Sequence, residues 1–115
     1  HRHAPEIAQK LGVSFDEVNF VPHLVPLTRG MISSIYIQTK GDFDAEELVR
    51  EYYKDEPYVR VSKNPVDMKN TAGTNFCDIY VKQKGNLLFI SSAIDNLLRG
   101  SSSQALANAN LMMGL

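Results

Sequence analysis

NFCDIYVKQKGNLLFISSAI, residues 75–94, decides the fold. Two runs rich in β-branched and aromatic residues, NFCDIYVK (75–82) and LLFISSAI (87–94), flank QKGN (83–86). Runs of that composition read as strands, and a glycine-bearing link between them reads as a hairpin turn. In the first run Cys77, Ile79 and Val81 alternate onto one face. That placement makes Cys77 a buried, inert thiol. A reactive one would want a helix N-terminus or a neighbouring base, and neither is evident.

Reading back toward the N-terminus, NPVDMKNTAGT (64–74) is a loop punctuated by Pro65 and Gly73, and YVRVS (58–62) is a short strand. KGDFDAEELVREYYKDEP (40–57) is the clearest helix. Asp44 can cap it, with Glu47 completing a capping box and Phe43 and Leu48 at hydrophobic-staple spacing. The spacing predicts a buried stripe of Leu48, Val49, Tyr52 and Tyr53. Glu46 and Arg50 can pair across one turn, and Pro57 stops the helix. MISSIYIQT (31–39) is a strand that is apolar on both faces, with Ile35 and Ile37 on one and Ile32 and Tyr36 on the other. A sheet packed on both faces, or a subunit contact on one, accounts for that.

The two ends complete the pattern. VNFVPH (18–23) reads as a strand that runs into HLVPLTRG (23–30), where Pro22 and Pro26 exclude a helix. HRHAPEIAQKLG (1–12) predicts a short helix over about residues 5–11, with Pro5 in the first turn. In NLLRGSSSQALANANLMMGL (96–115), Ala105, Ala109 and Met112 share one helical face, as do Leu106 and Met113. A final helix therefore starts near Ser101. Helix, strand, strand, helix, strand, strand, strand, helix is an α+β order. It predicts a largely antiparallel mixed sheet with helices packed on one face, as a single domain over residues 1–115.

Composition narrows the functional classes. The 115 residues are 43% hydrophobic and 22% charged, which is a globular balance. Twelve Lys and Arg against thirteen Asp and Glu give a net charge of −1, and no long basic run exists. Nucleic-acid binding is therefore not expected. No apolar run reaches the roughly 18 residues of a membrane span. A single cysteine excludes an intramolecular disulfide and fits a reducing, cytoplasmic setting. The chain opens His-Arg-His with no initiator methionine, which predicts a piece of something longer.

Few residues carry chemistry. No Gly-rich phosphate loop of the G-x-G-x-x-G kind is present. His1 and His3 straddle Arg2. Imidazole titrates near neutral pH, so either histidine is a candidate general base, and Arg2 a candidate holder of an anionic substrate. A frayed terminus is the plain alternative. His1, His3 and His23 could together bind zinc, but nothing supplies a second shell, so no metal is expected. Arg29, on a loop stiffened by two prolines, is a candidate anion clamp. Gly100 and the serines after it would lie at the N-terminus of the last helix.

At these residues the sequence resembles a known family. HRHAPEI resembles the HRH-x-PEI segment of the N-acetyl-γ-glutamyl-phosphate reductases of arginine biosynthesis. HLVPLTRGM is similar to their HLVP-x-x-RG loop. GTNFCDIYV is similar to their strand around TN-[FY]-C-D, and DNLLRGSSSQALANANLM to their closing DNL-x-[KR]-G-A-A-G-Q-A-x-x-N-x-N-L-M stretch. The four motifs occur in order over essentially the whole chain.

The resemblance implies a C-terminal catalytic and dimerisation domain, like that of semialdehyde dehydrogenases and glyceraldehyde-phosphate-dehydrogenase-like enzymes. The N-terminal Rossmann domain for NADP(H) and the nucleophilic cysteine would be absent, and the isolated domain inactive. The implied reaction takes N-acetylglutamyl phosphate to N-acetylglutamate semialdehyde. A thiolate displaces phosphate, and NADPH reduces the thioester. By motif, His3 is the acid/base, with His1 second. Arg2, Arg29 and His23 would line the substrate pocket. Gly100, Ser101 and Ser103 would lie near the nicotinamide, with residues 101–113 a closing helix packed toward the missing domain. A homo-oligomer through the sheet is also implied.

In the related aspartate-semialdehyde dehydrogenases the proline loop carries the site histidine. Met31 takes that place here, so HRH must supply the base. The sequence also departs at Ser103, where glycine is usual, and serine tolerates positive φ poorly. Two other readings stay open. One is a related aspartate-semialdehyde dehydrogenase domain. The other is a stand-alone small-molecule-binding or dimerisation module without activity.

Overall fold

A computed structural model describes residues 3–115. His1 and Arg2 lie outside the described residues. The hairpin forms as the sequence predicts, from β3 (Cys77–Lys84) and β4 (Leu87–Ile94). Lys84 faces Leu87 across a two-residue turn, with Gly85 at φ +58° in its first central position. A primed hairpin turn asks for glycine there, because it needs a positive φ.

β1 (Met31–Gln38) pairs antiparallel with β4 on the other side, from Met31 opposite Ile94 to Gln38 opposite Leu87. β2 (Val59–Ser62) runs parallel to β3. The sheet order is β1-β4-β3-β2, so β1 and β2 are the edges. The fold class is α+β with a mixed, largely antiparallel sheet, as expected.

α2 (Ala45–Tyr52) is the helix that packs on the sheet. Asp44 caps it by accepting the Glu47 N–H at 2.9 Å, a bond of about 1 kcal/mol in such positions. Arg50 donates to Glu46 at 2.8 Å. The buried face takes only half of the predicted stripe. Ala45 is buried, and Val49 and Tyr53 pack on the core, whereas Leu48 and Tyr52 are exposed. Ala45, Val49 and Tyr53 follow one i, i+4 line, and that narrow line suffices because the small Ala45 lets the helix lie close. The core is Ala45, Ile79, Val81 and Leu88, joined by Val59, Cys77 and Ile90.

The other two helices make their chief contacts elsewhere. α1 (His3–Leu11) packs chiefly with the short helical turn Phe15–Glu17, burying Ala4 and Ala8. α3 (Ser103–Met112) packs chiefly on the helical turn that precedes it. The strand predicted over 18–23 is absent. Residues 18–25 have no regular structure and no sheet partner. Pro22 cannot donate to a ladder, and among the described residues the β1 edge has no strand partner. Among the described residues no helix is long and apolar enough to cross a membrane.

Candidate functional site

The chain leaves the sheet at the end of β4 through Asp95, whose side chain is fully buried. Its two oxygens divide the work. Oδ1 accepts the N–H groups of Leu97 at 2.9 Å and Leu98 at 3.0 Å. Oδ2 accepts the Gly73 N–H at 2.8 Å and lies 3.6 Å from an Arg29 guanidinium nitrogen. The Gly73 bond, first among these partners, holds the carboxyl below the usual carboxylate range. Burial pushes the other way and is outweighed once Leu97, Leu98 and Arg29 add their share. The carboxylate stays charged because three backbone donors replace its lost water.

Asn96 continues the same junction. Its Oδ1 accepts the Gly30 N–H at 2.8 Å. Gly30 has φ +109°, and a Cβ there would stand 2.8 Å from the Met68 sulfur and 3.3 Å from Met68 Cβ. The backbone conformation favours glycine, and Met68 would have to shift to admit a Cβ. Met68 belongs to a helical turn, Met68–Asn70, braced by buried Thr71, whose hydroxyl donates to the Met68 carbonyl at 3.2 Å. Beside that loop, Arg60 of β2 grips Asp78 of β3 at 2.6 and 3.0 Å, donates to the Asn70 carbonyl at 3.1 Å, and stacks over Phe76. Three loops therefore meet at the end of β4: the proline loop, the β2–β3 loop, and the entry to α3.

That entry is a widened turn. Gly100 N–H bonds the Asp95 carbonyl at 3.0 Å, and Ser102 N–H bonds the Leu97 carbonyl at 3.1 Å, both over five residues. Ser102 Oγ also donates to the Leu97 carbonyl. Ser103 has φ −74°, a conformation that serine adopts without strain. Its hydroxyl donates to Asn75 Oδ1 at 2.6 Å and ties the helix start to the β2–β3 loop. Ser101 is exposed.

The histidines lie along the N-terminal approach. His3, at the start of α1, meets the Phe20 ring edge-on at 6.2 Å. His23 Nδ1 donates to the Val21 carbonyl at 3.1 Å. In the neutral ring that bond leaves Nε2 as the basic nitrogen. His1 and Arg2 fall outside the described residues, so the HRH motif is placed only through His3. Among the described residues no group of three or more His, Cys, Asp or Glu side chains could hold a metal.

Arg29 is the anion-binding candidate that the structure places in a built setting. Its side chain is half exposed, and 3.6 Å to Asp95 is a charge contact, longer than a hydrogen bond. Asp95 already accepts three backbone N–H groups, and a guanidinium has donors enough to face both this carboxylate and a second anion. Cys77 is no nucleophile in this setting. It is half buried on the core face, and burial pushes its thiol up, with Arg99 only partly offsetting that.

Sequence reasoning overlooked Asp95, Asn96 and Asn75. The available signal was Asp-Asn between a strand and a helix, the composition of a cap.

The chain belongs to the semialdehyde dehydrogenase family. The family described as "Semialdehyde dehydrogenase, dimerisation domain" matches residues 1–96. Relatives carry a more particular name. A protein of Sulfurimonas denitrificans called N-acetyl-gamma-glutamyl-phosphate reductase is 79% identical over 99% of this chain, which covers 34% of that protein. Proteins of the same name from a Sulfurovum species and Dehalococcoides mccartyi are 57% and 44% identical. Those matches cover 99% and 100% of this chain, and 35% and 36% of the relatives. The chain spans about a third of the length of the curated relatives it matches.

Proposed function

We propose that this chain is the C-terminal catalytic and dimerisation part of an NADP-dependent N-acetyl-γ-glutamyl-phosphate reductase. The observation that carries this reading is the identity of 79% over 99% of the chain to a relative of that name. The reaction turns N-acetylglutamyl phosphate into the semialdehyde and frees phosphate. In this reading it takes place in the cytoplasm.

The residues here divide the remaining work. His3 holds and returns the proton, with His1 beside it in the motif. Arg29 takes an anionic group of the substrate, and Arg2 and His23 line the same pocket. NADP(H) supplies the hydride when bound. The residues offered to it form an edge and not a cradle. The Gly100 and Ser102 N–H groups and the Ser103 hydroxyl are spent within the chain, while Ser101 is exposed. The exposed Leu106, Leu111, Met112 and Met113 of the closing segment suit packing against the rest of such a protein. Copies associate through the β1 half of the sheet.

The reading is tested on the full-length protein with NADPH and N-acetylglutamyl phosphate. Wild type reduces the acyl phosphate. His3→Asn lowers kcat by about 100-fold or more, the scale of a lost general acid–base, and leaves KM for NADPH unchanged. Full activity in His3→Asn would remove the role of His3. No reduction by wild type would remove the reductase reading itself.

A further inference from the structure

We infer that Asp95 is the positioning residue for Arg29, one buried carboxylate that fixes both the anion clamp and the start of the closing helix. The inference rests on the reading above that Arg29 binds substrate.

The argument begins with charge. A turn at a helix start needs one acceptor, and a neutral Asn or Ser supplies it at no electrostatic cost. Asp95 spends Oδ1 on that task, at Leu97 and Leu98. A fully buried ion must be justified by its other oxygen. Oδ2 reaches two other loops, bonding Gly73 N–H and facing the Arg29 guanidinium. An amide has no second acceptor for the Gly73 N–H, and Arg29 is the cation among these partners, so Oδ2 serves both.

The backbone beside Arg29 is fixed independently. Gly30 N–H is held by Asn96, and Met68 fills the space where a Cβ would go. Arg29 is thus held at its root by Asn96 and faced at its tip by Asp95, adjacent residues just past the end of β4. A clamp restrained at both ends loses little side-chain freedom when an anion arrives. The group that does this touches no substrate, so its effect falls on binding and not on the chemical step.

The test is a double-mutant cycle in the full-length reductase with Asp95→Asn and Arg29→Ala. Asp95→Asn keeps an oxygen for Leu97 and Leu98 and turns an NH2 toward Gly73 and Arg29. It should raise KM for the anionic substrate about tenfold, the scale of one charge-assisted contact, with kcat and KM for NADPH within about twofold of wild type. Running the reaction backward gives separate KM values for phosphate and for the semialdehyde, and shows which anion Arg29 holds. On an Arg29→Ala background, Asp95→Asn should add less than about twofold. Fully additive effects, or an unchanged KM in Asp95→Asn while Arg29→Ala raises it, would overturn the inference and leave the role of Arg29 standing. An unchanged KM in Arg29→Ala would instead remove the substrate role of Arg29, and the inference with it. If Asp95→Asn does not fold, Asp95→Glu keeps the charge, displaces it by one methylene, and carries the same cycle. A KM rise that vanishes without Arg29 supports the brace, and an additive one refutes it.

Discussion

Asp95 shows how a single residue can be decisive and still illegible in the sequence. Its partners Gly73, Leu97, Leu98 and Arg29 are drawn from three loops, and no local pattern joins them. Its charge has a consequence for pH. The folded-state pKa lies below the ordinary value, so the stabilisation is complete above the unfolded pKa of about 4 and fades as pH falls through the folded one. Denaturant titrations of wild type and Asp95→Asn should therefore differ by a constant amount from pH 5 to 8. The two should converge only in more acid solution. A gap that persists undiminished at the acid end would contradict the assignment. Ser103 makes the opposite point. Serine in a glycine position suggests a difficulty at positive φ, yet the backbone there is ordinary and the hydroxyl gains Asn75. Which loop stands opposite a residue is a tertiary fact.

Secondary structure was most legible where local chemistry is sufficient. The hairpin turn at Gly85, the Asp44 cap and the Glu46–Arg50 pair all formed as spacing requires. The buried line of α2 was legible only in part, because periodicity marks an apolar sector wider than the contact that one neighbouring sheet provides. Residues 18–23 misled for a related reason. A β-prone run is a strand only if an edge accepts it. Among the described residues the β1 edge accepts none, and that edge is itself informative. Met31–Gln38 carries no charge and no proline, yet Ile32, Ile35, Ile37 and Tyr36 are each more than two-fifths exposed. Exposed edge strands are normally protected by charge, proline or a bulge, since a bare one invites pairing. In the proposed association a second copy would supply the cover, and the family's description as a dimerisation domain favours that reading. Tyr36, 69% exposed and 5.1 Å from Phe89 in the next strand, is the place to test it. Tyr36→Lys should leave the monomer folded and weaken association by roughly thirtyfold or more in sedimentation equilibrium, as loss of a hot-spot aromatic does. An unaltered dimer dissociation constant would exclude this surface.

The whole molecule is larger than its mass requires. A folded monomer of 12.9 kDa is expected to expose about 6,300 Å², whereas this chain exposes 8820 Å². Its radius of gyration is 15.3 Å against about 13 Å for a compact domain of this length. The difference sits where apolar side chains face outward: the proline loop with Leu24 and Leu27, strand β1, and helix α3 with Leu106, Leu111 and Met112. For α3 the physics is simple. Ten residues fall short of the roughly 12–15 that an isolated helix needs to be even marginally stable in water. Tertiary packing must therefore supply the rest, and within this chain α3 packs chiefly on the turn before it. Its side-chain hydrogen bond to the β2–β3 loop, Ser103 to Asn75, secures the first residue of the helix. Amides of residues 106–112 should then exchange with solvent nearly as fast as unfolded peptide in the 115-residue chain, while those of β3 and β4 exchange far more slowly. In the full-length protein the same helix should become protected, because Leu106, Leu111 and Met112 gain a surface to bury. Equal protection of α3 in both forms would mean that the helix is stabilised by the chain itself, and that its apolar residues are not a contact for the rest of the protein.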